Sequence, residues 1–140
     1  MNKLASSTSY LGIVKNRFMS YQEGHTLRDK FSIASKFEGI EGFELAYPED
    51  FENPAELKDL LERYHFGVAA INFRSRRIGR WLRGSFTSAQ VSERREVVDD
   101  LKRAMDFAAE LGCNRITTCP LNDGSDYLFE MNYIQAYEGA

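Results

Sequence analysis

The sequence predicts an α/β fold with a parallel sheet. Strand-like and helix-like segments alternate along the chain, as they do in βαβ units. The run from Phe66 to Phe73 is nearly continuous in apolar residues, the pattern of a strand covered on both faces. Helix boundaries also carry their own punctuation, from Asn53-Pro54-Ala55-Glu56 at a start to Gly112 at an end.

In order, Leu4 to Val14 reads as a strand entering a Ser/Thr-rich loop. Thr26 is suited to cap a helix in which Leu27, Phe31, Ala34 and Phe37 share one face, with Gly39 and Gly42 ending it. Phe43 to Tyr47 follows as a second strand, Phe43, Leu45 and Tyr47 pointing one way and Glu44 and Ala46 the other; Pro48 closes it. The helix begun at Asn53 carries a stripe of Leu57, Leu60, Leu61 and Tyr64 and leads to the third strand, Phe66 to Phe73. After a basic loop, Ser92 is expected to cap a long helix with Val97, Val98, Leu101, Ala104, Met105, Ala108 and Leu111 at three- and four-residue intervals. Arg115 to Cys119 is the fourth strand, and Tyr133 to Tyr137 starts another helix.

The chain has 140 residues, 18 Lys+Arg against 21 Asp+Glu and a net charge of −3, which excludes a generally basic nucleic-acid binder. With 43% hydrophobic and 28% charged residues it is a globular chain rather than a disordered one. No apolar run approaches the ~20 residues of a membrane span, and the opening stretch lacks a signal-peptide core, so the expected location is the cytosol. Cys113 and Cys119 are too far apart along a strand to pair, and both read as small buried hydrophobes.

Ligand sites of parallel α/β sheets lie at the carboxyl ends of the strands. The loop after the third strand, from Asn72 through Arg74, Arg76, Arg77, Arg80, Trp81 and Arg83 to Ser85, sits at such an end. Its arginines suit phosphate or carboxylate oxygens, and Trp81 suits a sugar face or a guanidinium. One or two of them are expected to touch ligand; the others fit a solvated loop or pairs with acidic residues. Glu44 is either a buried acid paired with a base or a site residue, since a carboxylate inside a barrel is costly unless paired or used. Asn122 and Asp123, after the fourth strand, offer oxygens to a polyol or simply build a turn around Gly124. Of the two histidines, His65 falls on the face opposite the expected site and His25 in the loop after the first strand. There is no phosphate-cradling glycine loop, nucleophile elbow or Cys-x-x-Cys pair.

Gly39 and Gly42 before Phe43-Glu44-Leu45, the strand Val68 to Phe73, the loop Arg74 to Ser85, and Leu111-Gly112-Cys113-Asn114-Arg115-Ile116-Thr117 followed by Pro120-Leu121-Asn122-Asp123-Gly124 resemble the xylose isomerase-like TIM-barrel family of sugar phosphate isomerases and epimerases. Endonuclease IV belongs to the same superfamily. The resemblance implies that residues 1–140 are the N-terminal half of a (β/α)8 barrel, with about four parallel strands and three to four helices. It also implies a divalent metal, Mn or Mg, and proton transfer next to a sugar carbonyl. The metal-binding and acid/base residues of the family's epimerases come from later strands, so no catalytic or metal residue is carried over and the chain alone is expected to be inactive. What remains is a substrate-binding wall for a sugar or sugar phosphate: Glu44, Asn72, Arg74, Arg76, Arg77, Arg80, Trp81, Asn122 and Asp123. Endonuclease IV places metal-binding histidines on its third and fourth strands, whereas this chain has Asn72 and Asn122 in those neighbourhoods and no His, a departure that counts against DNA repair. Two alternatives stand beside this reading: a half-barrel binding subunit completed by another chain, and a lyase acting on oxidised sugars. A half barrel is further expected to leave a bare apolar interior face and hence to form oligomers.

Overall fold

The computed structural model describes residues 4–15, 19–75, 77, 80, 81, 84–119 and 132–139. Its main sheet has four parallel strands in the order β1 (Leu4–Ser7), β4 (Ile40–Tyr47), β5 (Gly67–Phe73) and β6 (Ile116–Thr118). Helices α1 (Leu27–Ala34), α2 (Pro54–Tyr64) and α3 (Val91–Glu110) connect these strands, and α4 (Tyr133–Gly139) follows. This is the α/β arrangement of part of a (β/α)8 barrel. Among the described residues no helix is long and apolar enough to cross a membrane.

The strand expected over Leu4 to Val14 is shorter than its sequence suggests. After Ser7 the chain turns into a 3-10 helix, Thr8–Leu11, whose first turn is capped by the Ser7 side chain accepting from the Ser9 amide. Hydroxyls bonded to neighbouring backbone in this way compete with ladder pairing. The segment then forms an antiparallel pair that the sequence reading lacked, β2 (Val14–Lys15) with β3 (Ser20–Gln22).

Thr26 and Asp29 form a capping box that starts α1. The helix stops at Ala34, before Phe37, which is 60% exposed instead of lying on the buried face. Gly39, at φ +88°, turns the chain into β4. Gly42 ends no helix: it lies inside β4, where a Cβ would come within 2.6 Å of the Gly67 carbonyl oxygen. The cap of α2 is the expected one, Asn53 accepting from the Glu56 amide at 3.2 Å. Ser92 does not cap α3. Gln90 occupies that position, and the hydroxyl of Ser88 accepts from its amide and donates to Glu93. Along α3 the buried residues are Val97, Asp100, Ala104 and Ala108, while Val98 and Met105 are exposed. Residues one position on from the buried set lie about 100° round the helix. Gly112, at φ +67°, follows α3 at the position expected for it. Cys113 is buried, but Cys119, one residue beyond β6, is exposed; both thiols are free.

The three connecting helices cover one face of the sheet. Phe43, Leu45, Tyr47, Ile71 and Phe73 point toward them and join Phe31, Leu57, Leu60, Val97 and Ala104 in the core. Phe43 anchors the packing, 4.8 Å from the Phe31 ring and 4.9 Å from that of Phe66. The opposite face follows from register: Ser7 lies beside Glu44 and Glu44 beside Ala70, while Ala46, Asn72 and Thr117 form the next row. That face is small and polar, which corrects the expectation of a bare apolar interior. The apolar run of the third strand breaks where the register shifts opposite Phe43 and Glu44, leaving Ala69 exposed and bringing Ala70 and Asn72 to this side.

Candidate functional site

Because the four strands are parallel, their carboxyl ends, Ser7, Tyr47, Phe73 and Thr118, lie along one edge. On the face away from the helices, Glu44 reaches across β5 and its Oε1 accepts from the Thr117 hydroxyl of β6 at 2.8 Å. Asn72 lies between them, in register with Thr117 and Ala46. A carboxylate, an amide and a hydroxyl therefore share one small-residue face next to the strand ends.

Behind this face lies a buried charged cluster that the sequence reading missed. The ammonium of Lys30 sits 2.7 Å from Asp50 Oδ1. Asp50 Oδ2 accepts from the Ala46 amide at 2.7 Å and from the Thr8 hydroxyl. Thr8, Lys30 and Asp50 are all buried. The sequence signal was Lys30 itself, three residues after Leu27 and four before Ala34 on the helix's apolar stripe, where a lysine needs a buried partner.

Between the loops after β1, β4 and β5 opens a cavity of about 380 Å³ lined by Ser9, His25, Lys30, Asp50 and Arg74, among others. Arg74 Nη2 donates to the Ser9 hydroxyl at 2.6 Å. Its Nε is buried and has no hydrogen-bond partner among the described residues. A larger open hollow of about 920 Å³ lies at the opposite, amino ends of the strands, beside Gly42, Gly67 and His65. In (β/α)8 barrels that end serves stability and the carboxyl end holds chemistry. His65 itself is the left-handed residue that ends α2, and it is exposed.

Arg77, Arg80 and Trp81 of the basic loop face α3. Arg77 pairs with Asp100, and its guanidinium carbon lies 4.9 Å from the Trp81 ring and 5.7 Å from those of Tyr47 and Phe73. Arg80 pairs with Glu96 and stacks on Trp81 at 4.3 Å, while the Trp81 indole donates to Glu96 at 3.1 Å. Trp81 thus stacks on guanidinium groups, and the acidic partners of Arg77 and Arg80 belong to this chain's own helix. The hydrogen bonds from Trp81 and Arg80 hold the Glu96 carboxyl below the usual carboxylate range. Burial and the neighbouring Asp100 charge push the Tyr47 phenol up. Of the predicted site residues, Glu44 and Asn72 share the polar face, Arg74 reaches the cavity, and Arg77, Arg80 and Trp81 lie against α3. Arg76, Asn122 and Asp123 lie outside the described residues.

Among the described residues no three His, Cys, Asp or Glu side chains converge to hold a metal ion. Both Asp50 oxygens and Glu44 Oε1 accept hydrogen bonds from the chain itself. The described residues therefore do not fit a divalent cation.

A family model for the xylose isomerase-like TIM barrel matches residues 31–138. No curated protein matches the sequence.

Proposed function

The chain belongs to the xylose isomerase-like TIM-barrel family, and from that premise we propose that it forms the substrate-binding wall of a sugar isomerase- or epimerase-type site. The observation that carries this reading is the polar face of Glu44, Asn72 and Thr117 beside the carboxyl ends of the strands, with Arg74 at the adjoining cavity. A polyol needs donors and acceptors in alternation, and a carboxylate, an amide, hydroxyls and a guanidinium supply both. Glu44 accepts from a sugar hydroxyl, Asn72 pairs with a hydroxyl or the carbonyl oxygen, and Arg74 donates to a terminal oxygen, so that the carbon next to the carbonyl is held in one orientation. Ketose–aldose interconversion and epimerisation both remove and return a proton at that carbon. The described residues do not assemble the ion that would polarise the carbonyl, so their role is binding and orientation. In this reading residues 1–140 are part of one barrel domain.

Amide NMR of the labelled chain, titrated with free and phosphorylated aldoses and ketoses, tests the proposal. Shifts confined to Glu44, Ala46, Asn72 and Arg74, and weakened by Glu44→Gln and Asn72→Ala, are expected. No response to any sugar, or shifts clustered at Gly42, His65 and Gly67, overturns the proposal.

A further inference from the structure

We propose that Asp100, on α3 and remote from the polar face, is the positioning residue that sets Arg74 for ligand. The inference rests on Arg74 belonging to the binding wall. Asp100 is 4% exposed and accepts hydrogen bonds from three elements: the Tyr47 hydroxyl at 3.2 Å, Arg103 of its own helix at 2.9 Å, and Arg77. Stability alone is a weak account of such a charge, since well-packed apolar groups generally do as well at a buried ion pair.

The geometry supplies another account, because the hydrogen bonds close a ring. Arg77 donates one nitrogen to Asp100 and its Nε to the carbonyl of Arg74 at 3.2 Å. The Arg74 amide donates to the Tyr47 carbonyl at 3.1 Å, and the Tyr47 hydroxyl returns to Asp100. Both polar groups of the Arg74 backbone are thus bonded to residues that Asp100 holds. The Tyr47, Phe73 and Trp81 rings cage the Arg77 guanidinium, and Asp100 fixes the direction of its fork. With its backbone held at both ends, Arg74 lines the cavity and projects toward Ser9, its Nε buried and without a partner among the described residues. Such preorganisation is how a supporting shell adds to binding without touching the ligand.

The test follows the Nε–H resonance of Arg74, identified by its disappearance in Arg74→Lys, together with sugar affinity, in three variants. Arg77→Lys keeps a cation for Asp100 but replaces the two separated guanidinium donors, Nε on the Arg74 carbonyl and Nη2 on Asp100, by one ammonium nitrogen that does not reproduce the fork. It is expected to fold, to move or broaden the resonance, and to weaken sugar binding about tenfold, the scale of one charged hydrogen bond. Asp100→Asn is expected to do the same, and Arg103→Gln, which leaves the ring intact, to change neither readout. An unmoved Arg74 resonance in Arg77→Lys overturns the proposal, and so does an equal response in Arg103→Gln. Should Asp100→Asn fail to fold, Arg77→Lys decides. If the unaltered chain binds no sugar, the binding reading fails while the resonance still judges the positioning role.

Discussion

Replacing Asp50 by Asn removes one charge from the cluster that ties the loop after β4 to α1. Lys30 and Asp50 are 6% and 3% exposed, so neither can turn to water without local rearrangement. In the native chain Asp50 satisfies Lys30 with one oxygen and the Ala46 amide and Thr8 hydroxyl with the other. Asparagine offers a single acceptor oxygen for these claims and points an N–H₂ group where an acceptor is needed. Leaving one member of a buried pair uncompensated costs about 3–5 kcal/mol. A domain of this size has roughly 5–15 kcal/mol in all. With a urea slope of about 2 kcal/mol per molar, the unfolding midpoint of Asp50→Asn should fall by about 2 M. Adding Lys30→Met removes the stranded cation, and the double variant should regain most of the loss. A cost below about 1 kcal/mol for Asp50→Asn, or a double variant no better than the single, would refute the claim that the pair is desolvated and mutually dependent.

Gly42→Ala places a Cβ 2.6 Å from the Gly67 carbonyl oxygen, and since that neighbour is backbone it should cost about 1–3 kcal/mol or more, read as a lower urea midpoint. Burial opposes ionisation of Asp100, but the Arg103 hydrogen bond and the Arg77 charge outweigh it and hold the carboxyl below the usual carboxylate range. The folded state therefore binds this proton more weakly than the unfolded chain. The stabilisation is present above the unfolded value and lost as pH falls through the depressed folded one, so thermal melts of Asp100→Asn should depend less on acidification than those of the native chain. Calorimetric titration with Mn or Mg should find no micromolar site, because among the described residues no three ligating side chains converge and the oxygens of Asp50 and Glu44 Oε1 accept internal hydrogen bonds.

What could be read from the sequence was what local chemistry decides. The Thr26 and Asn53 caps, the glycine after α3 and the alternation of Phe43, Leu45 and Tyr47 depend on residues within a turn of one another, and the structure has them as expected. The buried polar contacts did not announce themselves, since their partners are 20 positions apart for Lys30 and Asp50 and 53 for Tyr47 and Asp100. The character of the interior face is hidden from the sequence for a related reason. Phe66 to Phe73 looks apolar on both sides, but which residues face inward depends on the register shift against β4, which brings Ala70 and Asn72 opposite the helices. Glu44 is legible because a carboxylate on an alternating strand is conspicuous; its partner Thr117 lies 73 residues away, beyond any local pattern.

Crystals of the chain soaked in a ketose show where on this sheet sugar binds. Density is expected at the carboxyl-end face against Glu44 and Asn72, within reach of Arg74, and is expected to be lost in crystals of Glu44→Gln. Sugar ordered only in the hollow at the amino ends of the strands, or density unchanged by that substitution, would mean that this face is not the binding site.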